Sequence, residues 1–311
     1  MRLIFCLLLL YLATPGSAAA HPGQPPAPHD LWGAWNWDAG PLLGLGLVGF
    51  VYLRGLRAVW QSAGAGRGVS ARQALAFAAG WAALALALLS PLDALSGALF
   101  SAHMLQHILL MLVAAPLLVL GLPPALPAWS LPSRWRRPLF ARLRLFVPLA
   151  AAGRFLRRPL AAWSLQALAL WLWHAPDLYQ AALVDERLHA LEHLSFLGAS
   201  LLFWWVLLHP HGEREFGLGG RLLYLFTTAL QSGLLGALLT FSPQAWYPRQ
   251  SAAAGLWGLT PLEDQQIAGA LMWVPAGVVY LFGALWLFSS LLISMEREDQ
   301  AAGELKLEEK G

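Results

Sequence analysis

The sequence predicts an all-α fold: a polytopic membrane protein with seven transmembrane helices after a cleaved signal peptide. Three observations carry this reading. The chain of 311 residues is 58% hydrophobic and only 12% charged, with a mean hydropathy of +0.56. Soluble domains carry roughly 25% charge, so a water-soluble globule of this size could not cover itself with polar surface. Seven apolar stretches approach or exceed the length needed to cross the bilayer core, ~30 Å at about 1.5 Å per residue. Arginine falls in alternate connections between them, as the positive-inside rule requires.

Residues 1–20 begin with Arg2, run through the apolar Leu3 to Leu12 and end in Ser17-Ala18-Ala19-Ala20. A charged start, a short apolar core and an Ala-x-Ala end describe a secretory signal peptide cleaved after Ala20. The segment 21–38 is rich in Pro and Trp (Pro22, Pro25, Pro26, Pro28, Trp32, Trp35, Trp37). It reads as an extended outer leader running into an interfacial aromatic belt.

The membrane domain occupies 39–294, with spans near 39–60, 71–92, 97–121, 159–175, 187–208, 220–241 and 265–294. The fourth is short. The first span is followed by Arg54, Arg57, Arg67 and Arg72, and the fifth by Arg214 and Arg221. The third is followed by Arg134, Arg136, Arg137, Arg142, Arg144, Arg154, Arg157 and Arg158. The intervening connections hold Asp93, then Asp177, Asp185 and Glu186, then Arg249, Glu263 and Asp264. This pattern puts the mature N-terminus outside and the charged tail 295–311 in the cytoplasm. The long connection 122–158 reads as a solvated or interfacial basic loop that fixes topology. Pro116 and Pro275 fall inside spans and are expected to kink them. Gly40/Gly44 and Ser232/Gly236 permit close helix contact.

Composition also excludes. The net charge of +3 and pI near 9.3 come largely from arginine, 18 of the 20 basic residues, spread along loops. Without a basic patch interleaved with aromatics, nucleic-acid binding has no support. The single cysteine, Cys6, lies in the signal segment, so a disulfide framework, a CxxC redox site and a cysteine metal site are all excluded.

Ionisable groups are expensive in a bilayer, so their placement is informative. His103, His107, His174, His189 and His193 map to the outer halves or outer ends of the third, fourth and fifth spans. Asp93, Glu192, Asp264, Gln265 and Gln266 also fall at outer ends, whereas the inner halves hold little comparable. Chemistry therefore faces outward. Residues four apart share a helix face, so His103, His107 and Met111 form a stripe, and His189 with His193 repeats the spacing. Met272 sits eight residues below Asp264 in the seventh span. Imidazole and thioether without thiolate suit copper, particularly Cu(I). Imidazoles with an ordinary pKa of about 6.5 would release such an ion in acid.

Other readings compete. Each histidine taken alone is equally a buried, hydrogen-bonded residue. His189-Ala190-Leu191-Glu192-His193 matches H-x-x-E-H, the inverted zinc-protease signature, but lacks an assignable third ligand. Two histidines across helices, His103 or His107 with His174 or His193, could hold a haem. His21 and His29 read as leader residues, and His209 and His211 as interfacial loop residues. Gln166, Thr227, Thr228 and Gln231 lie at mid-depth, where such groups bond across helices or to the backbone. No chain of carboxylates crosses the membrane, which argues against a pump.

Four motifs then resemble a known family. They are Ser101-Ala102-His103-Met104-Leu105-Gln106-His107, with Leu109-Leu110-Met111 and Pro116 to Gly121; Trp173-His174-Ala175-Pro176 with Leu178-Tyr179; His189 to Phe196; and Asp264 to Gly269 with Met272 to Gly277. Together they are similar to the CtaG family of multispanning bacterial cytochrome c oxidase assembly factors, over roughly residues 38–292. The resemblance implies a non-enzymatic protein of the bacterial plasma (inner) membrane. Its partner would be the catalytic subunit of a haem–copper oxidase, with a periplasmic copper carrier as donor and membrane lipid as surroundings. By motif match it directs attention to His103, His107, His174, Glu192, His193, Asp264 and Gln265. An unrelated copper chaperone of the same name has one span and a cysteine, and the absence of cysteine after the signal peptide excludes that type. The combined expectation is a transient Cu(I) site with His103, His107 and His193 as ligands. His174, Met111 and Met272 would be further ligands, with Glu192, Asp264, Gln265 and His189 orienting them. The alternatives are a haem-binding redox protein and a metal-free scaffold for an oxidase subunit.

Overall fold

Helix boundaries follow the local stop and start chemistry. In the computed structural model, residues 26–132, 134, 147–209, 216–247, 250 and 253–308 are described. The signal segment, Cys6, His21 and His211 lie outside them. Helix α1 is Ala39–Ala63 and α2 is Ala71–Leu89. A reciprocal capping box of Ser70 and Gln73 starts α2. The expected second span ends earlier than 92, because Ser90 caps a new short helix α3, Pro91–Ser96, with proline in its first turn. Helix α4, Phe100–Gly121, carries the first histidine motif. Two short connecting helices follow, α5 (Leu126–Trp129) and α6 (Val147–Leu156). Then come α7 (Pro159–Trp173), α8 (Pro176–Ala182), α9 (Glu186–Leu208) and α10 (Leu218–Thr240). The last helix, α11, runs unbroken over Pro261–Glu308 with Pro275 inside it, so the segment expected as a separate tail continues the seventh helix.

No strand occurs among the described residues. Among the described residues, six helices are long and apolar enough to cross a membrane: α1, α2, α4, α9, α10 and α11. The expected fourth span is the exception. Its helix α7 has 15 residues, about 22 Å at 1.5 Å per residue, short of a ~30 Å core.

Among the described residues, buried polar groups gather within an apolar core while large apolar side chains also cover the outside, the inverse of a soluble surface. His103, Gln106, His107, Gln166, His174, Glu192, His193 and Asp264 are buried, while Leu223, Phe226 and Leu230 of α10 and Leu281, Phe282 and Leu285 of α11 are exposed. Such inversion fits a lipid surround, in which polar groups must find partners within the protein. The most extensive helix contact joins α10 to α11. It requires glycine: a Cβ on Gly236 would lie 2.9 Å from the Gly269 carbonyl oxygen, so the small-residue stripe around Ser232 and Gly236 is where these helices touch.

Helix α4 changes register at its middle. Residues Leu109–Ala114 are π-helical, and the Ala115 N–H donates to the carbonyl of Leu110, five residues back. The next donor in that register would be residue 116, which is proline and has no N–H. The carbonyl so orphaned is that of Met111, and the Trp204 indole of α9 donates to it at 2.9 Å. Proline thus shifts the helix without leaving a buried acceptor bare.

Candidate metal centre

Helices α4, α7, α9 and α11 each end or begin at the same pole of the bundle, and each brings one motif there. The four-residue spacing puts His103 and His107 one above the other on α4, with ring centroids 4.3 Å apart. His189 and His193 do the same on α9, also at 4.3 Å. The two pairs face each other: His103 lies 5.5 Å from His189 and 6.1 Å from His193, and His107 lies 5.4 Å from His193. Glu192 sits among them, its Oε1 3.5 Å from His103 Nε2 and 3.6 Å from His107 Nε2.

Two overlapping triads result, His103/His107/His193 and His103/His189/Glu192, each with one ligand atom per residue within 4.8 Å of the others. Ligands of a tetrahedral ion at about 2.0 Å stand about 3.3 Å apart, so small rotations would close either triad. Among the described residues the Ser96 backbone bonds to the His103 ring, but no hydrogen bond satisfies either ring nitrogen of His107, Nε2 of His189 or His193, or either oxygen of Glu192. Bare buried polar atoms cost about 1–3 kcal/mol each. A cation met by imidazole lone pairs and a carboxylate removes that penalty, so these residues fit a metal ion.

His174 stands apart. Its ring lies 6.5 Å from that of His107, and fully buried Phe196 packs beside both, 6.1 Å from the His174 ring and 4.5 Å from that of His107. His174 Nδ1 contacts the Leu170 carbonyl at 2.7 Å, and Nε2 contacts the Met104 thioether at 3.2 Å. Met111 and Met272 line a cavity of about 40 Å³ together with Met104, His107 and His174.

Two residues expected to orient imidazoles have other contacts. Asp264 accepts the N–H groups of Phe100 (2.7 Å) and Ser101 (3.0 Å) and the Ser101 hydroxyl (2.5 Å). It therefore caps α4 from α11, because Leu99 at the α4 N-cap has no capping side chain. Gln265 accepts the Trp246 N–H at 2.6 Å and donates to the carbonyls of Leu239 and Gln244, pinning the loop after α10. Both hold the frame of the site rather than its rings. His189, by contrast, is inside the cluster.

An aromatic cover closes this pole. Tyr179 of α8 packs edge-on to His103 at 5.2 Å and lies 4.5 Å from Tyr247, which itself lies 4.5 Å from Phe100. Tyr247 donates to the His174 carbonyl at 2.8 Å, the Tyr179 hydroxyl donates to Gln250, and Gln250 donates to the Ser96 carbonyl. Burial and then the Glu192 charge push the Tyr179 and Tyr247 hydroxyls above their ordinary pKa, so both remain proton donors. Behind α4, Gln106 donates to Asp93 at 2.7 Å and Asn36 donates to the other oxygen at 2.7 Å. Burial outweighs those donations and pushes Asp93 up to about 6.

The spacing of four exposes the pairs on α4 and α9 in the sequence, but nothing there announces Met104 against His174. Tyr247 and Gln250 lie outside any helical pattern and carry no sequence signal either.

A family comparison adds to this geometry. The sequence profile of the cytochrome c oxidase caa3 assembly factor family (Caa3_CtaG) matches residues 50–293. The chain belongs to that family. All four clustered histidines and Glu192 of this Caa3_CtaG member lie within the matched stretch. Uncharacterized proteins of Mycobacterium bovis and Mycobacterium tuberculosis are each 28% identical over 260 residues, covering 80% of this chain and 38% of the relative. The chain thus corresponds to well under half the length of these relatives. No solved structure matches it.

Proposed function

We propose that this Caa3_CtaG member assists assembly of a haem–copper cytochrome c oxidase by holding copper, as Cu(I), for transfer to the catalytic subunit. The observation that carries the reading is the buried cluster of His103, His107, His189, His193 and Glu192, in which each residue turns at least one unsatisfied nitrogen or oxygen inward. Transfer needs exchangeable coordination. A set of two or three imidazoles beside one carboxylate suits that better than a closed four-ligand cage. In this reading α7 is a seventh, short span completed by neighbouring protein. The histidine pole faces outward across a bacterial inner membrane, where a periplasmic carrier would load it, and the protein is not an enzyme.

The rival readings fit less well. A scaffold that used its histidines only for interhelical hydrogen bonds would not leave both ring nitrogens of His107 and both oxygens of Glu192 unpaired. A porphyrin needs a wide flat slot, whereas here the four clustered rings lie 4.3–6.1 Å from their neighbours above a cavity of about 40 Å³. For a zinc hydrolase Glu192 would have to meet water and substrate, yet it is fully buried.

The test is complementation of a strain lacking this protein with wild type or His103→Ala/His193→Ala at equal abundance. We expect the variant to yield oxidase with at least tenfold less copper in its catalytic subunit and matching loss of activity. Copper content that follows only the abundance of the protein would favour the scaffold.

A further inference from the structure

Beneath the histidine cluster lies a second group of soft ligands that the cluster does not use. The chain has five methionines, and three of them, Met104, Met111 and Met272, line the one cavity of about 40 Å³ that also touches His107 and His174. Methionine often fills irregular gaps in a core, so the sulfurs alone decide nothing. His174 does. Its Nδ1 faces the Leu170 carbonyl at 2.7 Å and its Nε2 faces the Met104 sulfur at 3.2 Å. A neutral imidazole has one proton for these two acceptors. The carbonyl is the better acceptor and takes it, which leaves the Nε2 lone pair against the lone pairs of a thioether. A cation bound by both removes that conflict.

The rest of the lining fits a soft, singly charged ion. No carboxylate faces the cavity, so a divalent ion would bring charge that nothing nearby offsets. Thr228 and Ser232 also line it, and their hydroxyl protons go to the carbonyls of Tyr224 and Thr228 at 2.7 and 2.8 Å. What they turn to the cavity is oxygen lone pairs. At about 40 Å³ the space exceeds the ~10–15 Å³ that a single water needs.

We propose that Met104 and His174, with Met111 and Met272, form a second station for a monovalent soft cation such as Cu(I) or Ag(I). It lies deeper in the bundle than the histidine cluster and is joined to it by His107. The inference rests on the reading that this chain handles copper. It adds that the ion moves from a nitrogen and carboxylate site to a sulfur-containing one.

The test loads detergent-purified full-length protein anaerobically with Cu(I) and, separately, Ag(I). Stoichiometry and copper-edge X-ray absorption are then read for wild type, Met104→Leu, Met272→Leu and His103→Ala/His193→Ala. Leucine nearly conserves the volume of methionine, and the two single variants guard against one misfolding. Wild type should bind two ions per chain and show sulfur scattering at about 2.3 Å. Each leucine variant should lose one ion, Met104→Leu with a loss of most of the sulfur signal, while the histidine variant keeps that signal. Unchanged stoichiometry and sulfur scattering in both leucine variants would overturn the second station. So would a single wild-type ion that is lost only with His103 and His193, which leaves the cluster reading intact. No ion bound by wild type would remove both.

Discussion

Among the described residues Glu192 is the carboxylate that groups with the clustered histidines, and its removal separates holding a cation from merely filling space. Glu192→Gln keeps the shape and removes the carboxyl group whose Oε1 lies 3.5 and 3.6 Å from two imidazoles. We predict a 10–100-fold weaker affinity for Cu(I) by chelator competition, the range expected when a supporting carboxylate is lost. An unchanged affinity would remove Glu192 from the site. His103 and His107 were legible in the sequence because a spacing of four puts two residues on one helix face. The partnership of His174 with Met104 was not, since periodicity gives no account of how one helix is rotated against another. Asp264 was legible as a residue of the outer pole but not in its role. A carboxylate at that depth serves an imidazole or a bare helix start equally well, and only the approach of α11 to Phe100 decides for the helix.

At the scale of elements, the shift in α4 controls what Met111 presents to the cavity. Trp204→Phe removes the indole that pairs with the Met111 carbonyl. It should destabilise the protein by about 1–3 kcal/mol, the penalty for a buried acceptor left bare, as seen in SDS unfolding followed by circular dichroism. A variant as stable as wild type would mean that the π-helical turn needs no support from α9. Proline at position 116 was visible as a kink, but a kink and a register shift look alike until the next donor is counted. The close contact of α10 and α11 through Gly236 was expected from small residues four apart. The 15-residue length of α7 was only half legible, because its apolar run continues into His174 and Ala175, where the helix stops at Pro176.

At the scale of the whole molecule, the described residues bury histidine and carboxylate within an apolar core and expose leucine and phenylalanine outside, and the charge deficit of the sequence anticipated this apolar exterior. Its pH response should show one buried acid at the boundary. Asp93 releases its proton at about 6 in the folded protein against 3.8 ordinarily. At this site the folded state therefore binds more protons between those values, and the Asp93 contribution to stability falls as pH rises from about 4 to about 6. The SDS-unfolding midpoint of wild type measured relative to Asp93→Asn should therefore decline across that window; parallel profiles would contradict this.

The central claim is that the histidine pole holds copper. The direct measurement is copper per chain in detergent-purified protein under reducing conditions, wild type beside His103→Ala/His107→Ala. Loss of two cluster ligands should release the ion held there, so wild type retains Cu(I) and the variant loses at least one ion per chain. Wild-type protein that takes up no copper at loadings that saturate a known Cu(I) carrier, or a variant that binds as much as wild type, would contradict it.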